Sequence, residues 1–282
     1  MDALSTLFDR FPLSARLFYA GEICNTADFP ASAGHGHLHI VKRGTLSFAS
    51  ERTTLLTVNE PAALFFPQPR DHRLVPVPGE PAEVLCASVQ LGGTANNPFL
   101  KAFPDLLNVS LAESDTLAKG LDLLIEEAFG HGQGRQAALD RLTEFCLLLM
   151  MRHVVDQRKV EMGVLAGLSD ARIAKAVIAV HEDPRRAWTL AAMAEIANLS
   201  RARFAARFKE TTGVTPLDYL TDWRIGLAQS LMKHGRPLKL VAEEVGYASP
   251  ATFSRIFAAR VGKPPRAWLT AQTTSADGDQ PA

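Results

Sequence analysis

Leu199-Ser200-Arg201-Ala202-Arg203-Phe204-Ala205-Ala206-Arg207-Phe208-Lys209 and Ala248-Ser249-Pro250-Ala251-Thr252-Phe253-Ser254-Arg255-Ile256-Phe257 are the two stretches that decide the reading of this chain. Ser200, Phe204, Phe208, Gly213 and Pro216 return as Ser249, Phe253, Phe257, Gly262 and Pro265, every pair offset by 49 residues. A short helix leads each copy, Met193-Ala194-Glu195-Ile196 in the first and Val241-Ala242-Glu243-Glu244-Val245 in the second, with a small residue where another helix must come close. Asn198 and Gly246 then supply the turn, since both residue types tolerate the left-handed backbone region. Ser200 and Ser249 are N-caps, and Pro250 stands at a first helical position where a missing N–H does no harm. In the helix that follows, phenylalanines four apart share one face and point inward. The outward face carries Arg201, Ala202, Arg203, Ala205, Ala206 and Lys209 in the first copy, and Ala251, Thr252, Ser254, Arg255 and Ala258 in the second. This is the layout of two helix-turn-helix units.

The outward residues suit the edges of base pairs. Arginine pairs bidentately with guanine, Ser and Thr serve several bases or a phosphate, and alanine touches a thymine methyl. Charge agrees with that use, although the whole chain sums to zero. Residues 168–270 hold sixteen Lys/Arg against nine Asp/Glu, whereas residues 1–167 hold fourteen against nineteen. A polyanion therefore belongs with the C-terminal part. Between the copies, the spacing of Leu217, Tyr219, Leu220, Trp223, Ile225, Leu227, Ala228 and Leu231 predicts one helix from Pro216 to about Met232. Such a rod, roughly 25 Å long, would set two reading helices about one DNA turn, ~34 Å, apart. One chain would then read a non-palindromic site without dimerising.

The N-terminal part reads differently. From Ala20 to about Leu91, short apolar runs such as His37–Val41, Thr45–Phe48, Ala63–Phe66 and Val84–Val89 alternate with turn formers, which predicts a small antiparallel β-domain. After Gly92-Gly93 the period becomes helical, with a stripe of Leu117, Leu121, Leu124, Ile125 and Ala128 and a second helix from about Gln136 to Asp156. The wide apolar arc of that second helix suits burial within the chain or packing against a second subunit. Residues 157–168 read as a linker, and Ser169 as the cap of a helix that stops before Asp183-Pro184. The stretch from Thr273 reads as a disordered tail. No signal peptide or membrane-length apolar run stands out, so the expected place is the cytoplasm, away from membranes. Cys24, Cys86 and Cys146 lack CxxC spacing, which leaves a redox pair open.

His35, His37 and His39 lie two apart, with His72 further on. On a strand they would share a face, and imidazole binds zinc, iron or nickel, so a divalent-metal site is one reading and solvated side chains the other.

Trp188-Thr189-Leu190, Leu199-Ser200-Arg201, Phe208–Gly213, Pro216-Leu217-x-Tyr219-Leu220, Trp223-Arg224 and Val245-Gly246-Tyr247 resemble the AraC/XylS-type transcription regulators. The resemblance implies that the second helix of each unit enters the major groove, with Arg201, Ala202, Arg203, Ala206, Thr252, Ser254 and Arg255 at the DNA, and Lys209 of the outward face is expected to join them. The alanines of the first unit depart from many relatives. His39-Ile40-Val41-x-x-Gly44, with Pro67 and His72, resembles the cupin barrel of a subgroup. Metallocupin enzymes place a Glu shortly after the paired histidines, where this chain has Lys42, Arg43 and Gly44. Met1–Ser5, His72-Arg73-Leu74 and Cys86 look like activators that respond to reactive chlorine species through N-terminal cysteines. That likeness implies Cys24 and Cys86 as redox residues, joined when oxidised, with Cys146 in the core.

The expectation is an α+β chain. Residues 1–166 form a cupin-like sensor barrel with flanking helices, 167–272 an all-α domain with two helix-turn-helix units joined by a long helix, and 273–282 the tail. The expected function is promoter-binding transcription regulation, with activation expected over repression, controlled by an oxidant or small ligand. Double-stranded promoter DNA and RNA polymerase are the expected partners, with a homodimer open. No catalytic residue and no cofactor are expected; a metal-binding cupin enzyme fused to a DNA-binding domain is the alternative.

Overall fold

A computed structural model of the chain describes residues 3–31, 35–50, 53–91, 100, 103–157 and 162–276. Two compact units result. One is made of residues 12–95 and 103–161, and the other takes Met1–Phe11 together with Met162 onward.

The first unit holds nine strands among its described residues: β1 (Leu13–Ile23), β2 (Ala27–Phe29), β3 (Gly36–Arg43), β4 (Leu46–Ser50), β5 (Thr53–Val58), β6 (Ala62–Phe66), β7 (His72–Pro76), β8 (Ala82–Leu91) and β9 (Leu107–Ser110). They pair antiparallel in a five-stranded sheet, β1-β8-β3-β6-β9, and a four-stranded sheet, β2-β7-β4-β5. Apolar residues from both, among them Phe48, Leu64, Phe66, Leu74, Val84 and Cys86, fill the space between them. The strand register is set by that burial, because a slip of one residue would turn every side chain of a strand to the other face. β9 interrupts the region read as purely helical: Leu107 and Val109 alternate with polar neighbours and are buried, a two-residue apolar signal too short to see in the sequence.

Two helices flank the barrel, α2 (Asp115–Phe129) and α3 (Arg135–Asp156), where the sequence placed them. Ser114 caps α2 by accepting from the Leu117 N–H at 3.3 Å. On α3, Leu139, Cys146, Leu147, Met150, Met151 and Val154 are buried. Gln136 on the same helix donates to the Leu17 carbonyl of β1.

The second unit is helical: α1 (Ala3–Arg10), α4 (Val164–Ser169), α5 (Ile173–Glu182), α6 (Leu190–Ile196), α7 (Arg201–Thr212), α8 (Pro216–Lys233), α9 (Leu238–Glu244), α10 (Pro250–Val261) and α11 (Pro265–Ala276). Four expectations are corrected here. Helix α1 does not go with residues 12–166: Leu7 and Phe11, four apart, are buried, and the Phe11 ring lies 4.6 Å from Trp223 of α8. Part of the expected linker is a helix, α4, with Val164 to Leu168 buried; residues 158–161 of that linker lie outside the described residues. Ser169 ends α4, its hydroxyl donating to the Leu165 carbonyl, and it is the Asp170 carboxylate that accepts from the N–H groups of Arg172 and Ile173 to start α5. Helix α11 continues through Ala276, so Thr273 to Ala276 are not tail, and 277–282 lie outside the described residues.

Candidate functional site

The two repeats fold alike because the same backbone devices recur. At the end of α6 the N–H of Leu199 donates to Ala194 and that of Asn198 to Glu195; at the end of α9, Tyr247 donates to Ala242 and Gly246 to Glu243. These are two Schellman caps, each needing a left-handed residue. Asn198 (φ 52°) and Gly246 (φ 87°) provide it, and Asn198 is the one non-glycine residue with positive φ among the described residues. Ser200 and Ser249 then cap α7 and α10, accepting from the N–H of Arg203 and of Thr252. Counted from the caps, the second turn is one residue longer than the first.

Behind each reading helix lies the same aromatic arrangement. Phe204 and Phe208 stand 5.5 Å apart, and Phe208 meets Tyr219 edge-on at 5.4 Å. Phe253 and Phe257 stand 5.6 Å apart, and Phe257 meets Trp268 edge-on at 5.8 Å. Tyr219 and Trp268 are again 49 residues apart, a sixth element of the repeat hidden by the change of residue type.

With the phenylalanines inward, Arg201, Ala202, Arg203, Ala206 and Lys209 are exposed on α7, as is Arg255 on α10. Among the described residues, Arg201, Arg203, Lys209 and Arg255 make no ion pair, whereas Arg207 is held by Asp170 and Arg260 by Asp218 and Asp222. These four cations are among the residues expected on the outward face; Lys175, Lys239, Lys263 and Arg266 of the same unit make no ion pair among the described residues either. Thr252 and Ser254 are half-buried. The hydroxyl of Thr252 accepts from the Ser249 cap at 3.1 Å, which ties this side chain to the start of α10.

Helix α8 joins the copies through Arg224, which sequence reasoning passed over except as part of a motif. Its Nε donates to the Pro184 carbonyl and its Nη2 to the Arg186 carbonyl, both at 2.9 Å, while its guanidinium lies 5.5 Å from the Tyr247 ring centre. One side chain therefore clips the segment before α6, the spacer helix and the second turn together.

In the barrel, the histidines divide. His37 and His39 of β3 face inward and meet His72 of β7, with ring centres 5.0 to 6.0 Å apart. Phe29, Phe48 and Phe66 close around them. His35 does not join: it precedes the strand, and its Nε2 contacts the Gln90 amide at 2.8 Å. Burial lowers the pKa of His37 to about 4, and it pushes His39 well down and His72 down, so the rings are neutral. His39 Nε2 lies 2.8 Å from His72 Nε2, and His39 Nδ1 lies 3.2 Å from the Cys86 sulfur. These nitrogens are engaged with each other and with the thiol. Among the described residues no group of three or more His, Cys, Asp or Glu side chains is disposed to hold a metal ion. Where a metallocupin would carry its glutamate, Lys42 and Arg43 form ion pairs with Glu83.

Cys86 is fully buried, and burial pushes its thiol up to about 12. Cys24 is exposed, beside a cavity lined by Phe18, Tyr19, Ile23 and Phe29. Cys146 is buried on α3, as the sequence placed it. No helix is long and apolar enough to cross a membrane among the described residues.

Residues 2–156 match the cupin family, and residues 193–271 match a helix-turn-helix domain family. A putative AraC-like transcription regulator of Streptomyces lividans is 32% identical over 191 residues, 66% of this chain and 63% of that one. The chain belongs to the AraC-type transcription regulators. It is similar over 85% of its length, at 27% identity, to the RCS-specific HTH-type transcriptional activator RclR of Escherichia coli, covering 87% of that protein. It is 32% identical to an uncharacterized HTH-type transcriptional regulator of Haemophilus influenzae over 55% of its own length. The chain spans about half the length of that relative, 52%. In this AraC-type chain the cupin match covers the barrel with α2 and α3, and the helix-turn-helix match runs from α6 into α11.

Proposed function

We propose that this AraC-type chain is a promoter-binding transcription activator that reads double-stranded DNA with α7 and α10 and changes state when its barrel is oxidised. The observation that carries the DNA reading is the row of unpaired cations, Arg201, Arg203, Lys209 and Arg255, on the outward faces of two helices whose inward faces are locked by phenylalanine pairs. The copies divide the work unequally. Arg255 is the residue of the second unit best placed to take a guanine, while the first unit sets Arg201 and Arg203 around an alanine surface. Arg255→Ala is expected to weaken binding to the cognate site by ~1–3 kcal/mol and to relax preference at one base pair. Titrating the variant against a panel of single-base site changes checks this; an equal loss on every sequence would reduce Arg255 to a phosphate contact.

The oxidant reading draws on the likeness to an activator named for reactive chlorine species, and on Cys24 and Cys86 lying in the matching barrel. The pairing of β1 with β8 sets what a bond between them requires. Ile23 sits opposite Ala82, four positions along β8 from Cys86, or about 13 Å at ~3.3 Å per residue, whereas a disulfide needs Cα atoms within about 7 Å. Joining the two sulfurs would pull the segment from Cys24 to Phe29 out of place, which turns oxidation into movement. Cys24→Ser or Cys86→Ser should abolish induction of the promoter by hypochlorous acid without changing basal expression. Full induction in both variants would sink the redox reading. RNA polymerase is the expected partner at the promoter. Exposed Leu123, Phe129 and Phe145 on α2 and α3 offer apolar surface to a second copy.

A further inference from the structure

We infer that His39 and His72 form a proton relay for Cys86, making this buried thiol a base-assisted reactive group of the barrel. The inference rests on the oxidant reading above and adds how a sulfur shut away from water reacts at all.

The direction of every hydrogen bond in the chain of groups is fixed from one end. The Arg70 carbonyl only accepts, so His72 Nδ1, 2.8 Å away, carries the hydrogen. A neutral His72 then presents a lone pair at Nε2, and His39 Nε2, at 2.8 Å, must donate to it. That leaves the lone pair of His39 on Nδ1, facing the Cys86 sulfur at 3.2 Å, so the thiol donates. The order is Cys86 S–H to His39, His39 N–H to His72, His72 N–H to the carbonyl of residue 70.

Placement supports a relay and not a chance contact. Cys86 and His39 are side by side on β8 and β3 of the five-stranded sheet, whereas His72 comes from β7 of the other sheet. The His72 ring lies between two parallel aromatic faces, Phe29 at 5.3 Å and Phe66 at 4.4 Å. A positive charge arriving on that ring would be met by both π faces.

With hypochlorous acid as oxidant, the sulfur attacks chlorine, the S–Cl bond forms and the Cl–O bond breaks. Hydroxide leaves with the electron pair. The thiol proton passes to His39 Nδ1 as the His39 Nε2 proton passes to His72 Nε2; the displaced hydroxide then takes the proton from His39 Nδ1 as water while His72 Nε2 returns its proton to His39 Nε2, leaving both rings neutral. The balance is thiol plus hypochlorous acid to sulfenyl chloride plus water, with sulfur oxidised by two electrons and chlorine reduced from +I to −I. A second thiol would then displace chloride to give a disulfide.

The test uses the full, reduced chain mixed with one equivalent of hypochlorous acid, quenched at intervals, with the thiols of Cys86 and Cys24 followed by mass spectrometry. His72→Gln keeps a carbonyl to accept from His39 but has no basic nitrogen. It should slow loss of the Cys86 thiol by roughly 100-fold, leave the rate at Cys24 as it is, and leave the S–H stretching band of Cys86 unshifted in Raman spectra. His72→Phe keeps the stacked ring and serves if the glutamine barrel fails to fold. Loss of the Cys86 thiol at the native rate in these variants overturns the relay while leaving oxidant sensing intact. A native chain whose promoter ignores hypochlorous acid overturns the sensor reading itself.

Discussion

Gly246→Ala is expected to unfold the second reading unit, destabilising the helical part of the chain by roughly 3–5 kcal/mol and abolishing promoter binding. Two effects add. The residue sits at φ 87°, a left-handed backbone that an alanine enters only with strain. A methyl group there would also stand 2.6 Å from the Pro184 carbonyl oxygen and 2.7 Å from Arg224 Nη2, with the Arg185 Cα at 3.0 Å. None of these gives way easily, since the carbonyl is backbone and the guanidinium is itself bound to it. Gly262→Ala is the control. It ends α10 at φ 83° with nothing within 4 Å of the added methyl, so only the backbone strain remains, about 1 kcal/mol. Urea unfolding followed by tryptophan fluorescence distinguishes them, because Trp188, Trp223 and Trp268 all lie in the helical unit. Equal losses in the two variants would show that the close approach of Gly246 to the segment before α6 carries no energy.

The second large effect is acid loss of the same unit through His181. This side chain on α5 is fully buried, its Nε2 lies 2.7 Å from the Tyr219 hydroxyl, and its ring stacks on Trp223 with centres 3.5 Å apart. Burial lowers its pKa to about 3, from the ordinary 6.5 that the unfolded chain keeps. Between those values the unfolded state binds a proton that the folded state does not. Stability is therefore complete above about pH 6.5 and falls as the medium becomes more acidic, by ~1.4 kcal/mol per pH unit. At pH 5 the loss is about 2 kcal/mol. His181→Gln keeps a partner for Tyr219 and removes the titration. The difference in stability between the native chain and this variant should shift by that amount from pH 7 to pH 5. A constant difference would mean that His181 already titrates normally.

Both predictions concern groups that the sequence names without ranking. Gly246 is readable as a turn residue, yet so are Gly213 and Gly262, and only the packing of Pro184, Arg185 and Arg224 against Gly246 separates it from them. His181 sits in an apolar helix with nothing in its neighbourhood along the chain to mark it as buried under a tryptophan from α8. The barrel shows the same limit. Period-two spacing puts His37 and His39 on one face, and the structure agrees. It cannot say that the strand begins at Gly36 and leaves His35 out, or that His72 and Cys86 arrive from two different strands to meet His39. Thr252 was legible as outward-facing, but not as a partner of its own helix cap.

By itself the sequence determined the two reading helices, their caps and turns, the spacer between them and the β-rich character of residues 20–91, but not β9, because each of the former depends on residues within a turn or two of one another. Capping, left-handed turns and apolar periods are local, and the repeat wrote them twice. Only the tertiary structure decided which cations stay unpaired, where α1 and α4 belong, and which imidazole nitrogen faces which neighbour. Those properties depend on side chains brought together across long stretches of chain, as Arg224 meets Pro184 and Tyr247, and as Cys86, His39 and His72 meet between the two sheets. The packing that selects such contacts is set by shape and burial summed over the whole unit, which no local pattern encodes.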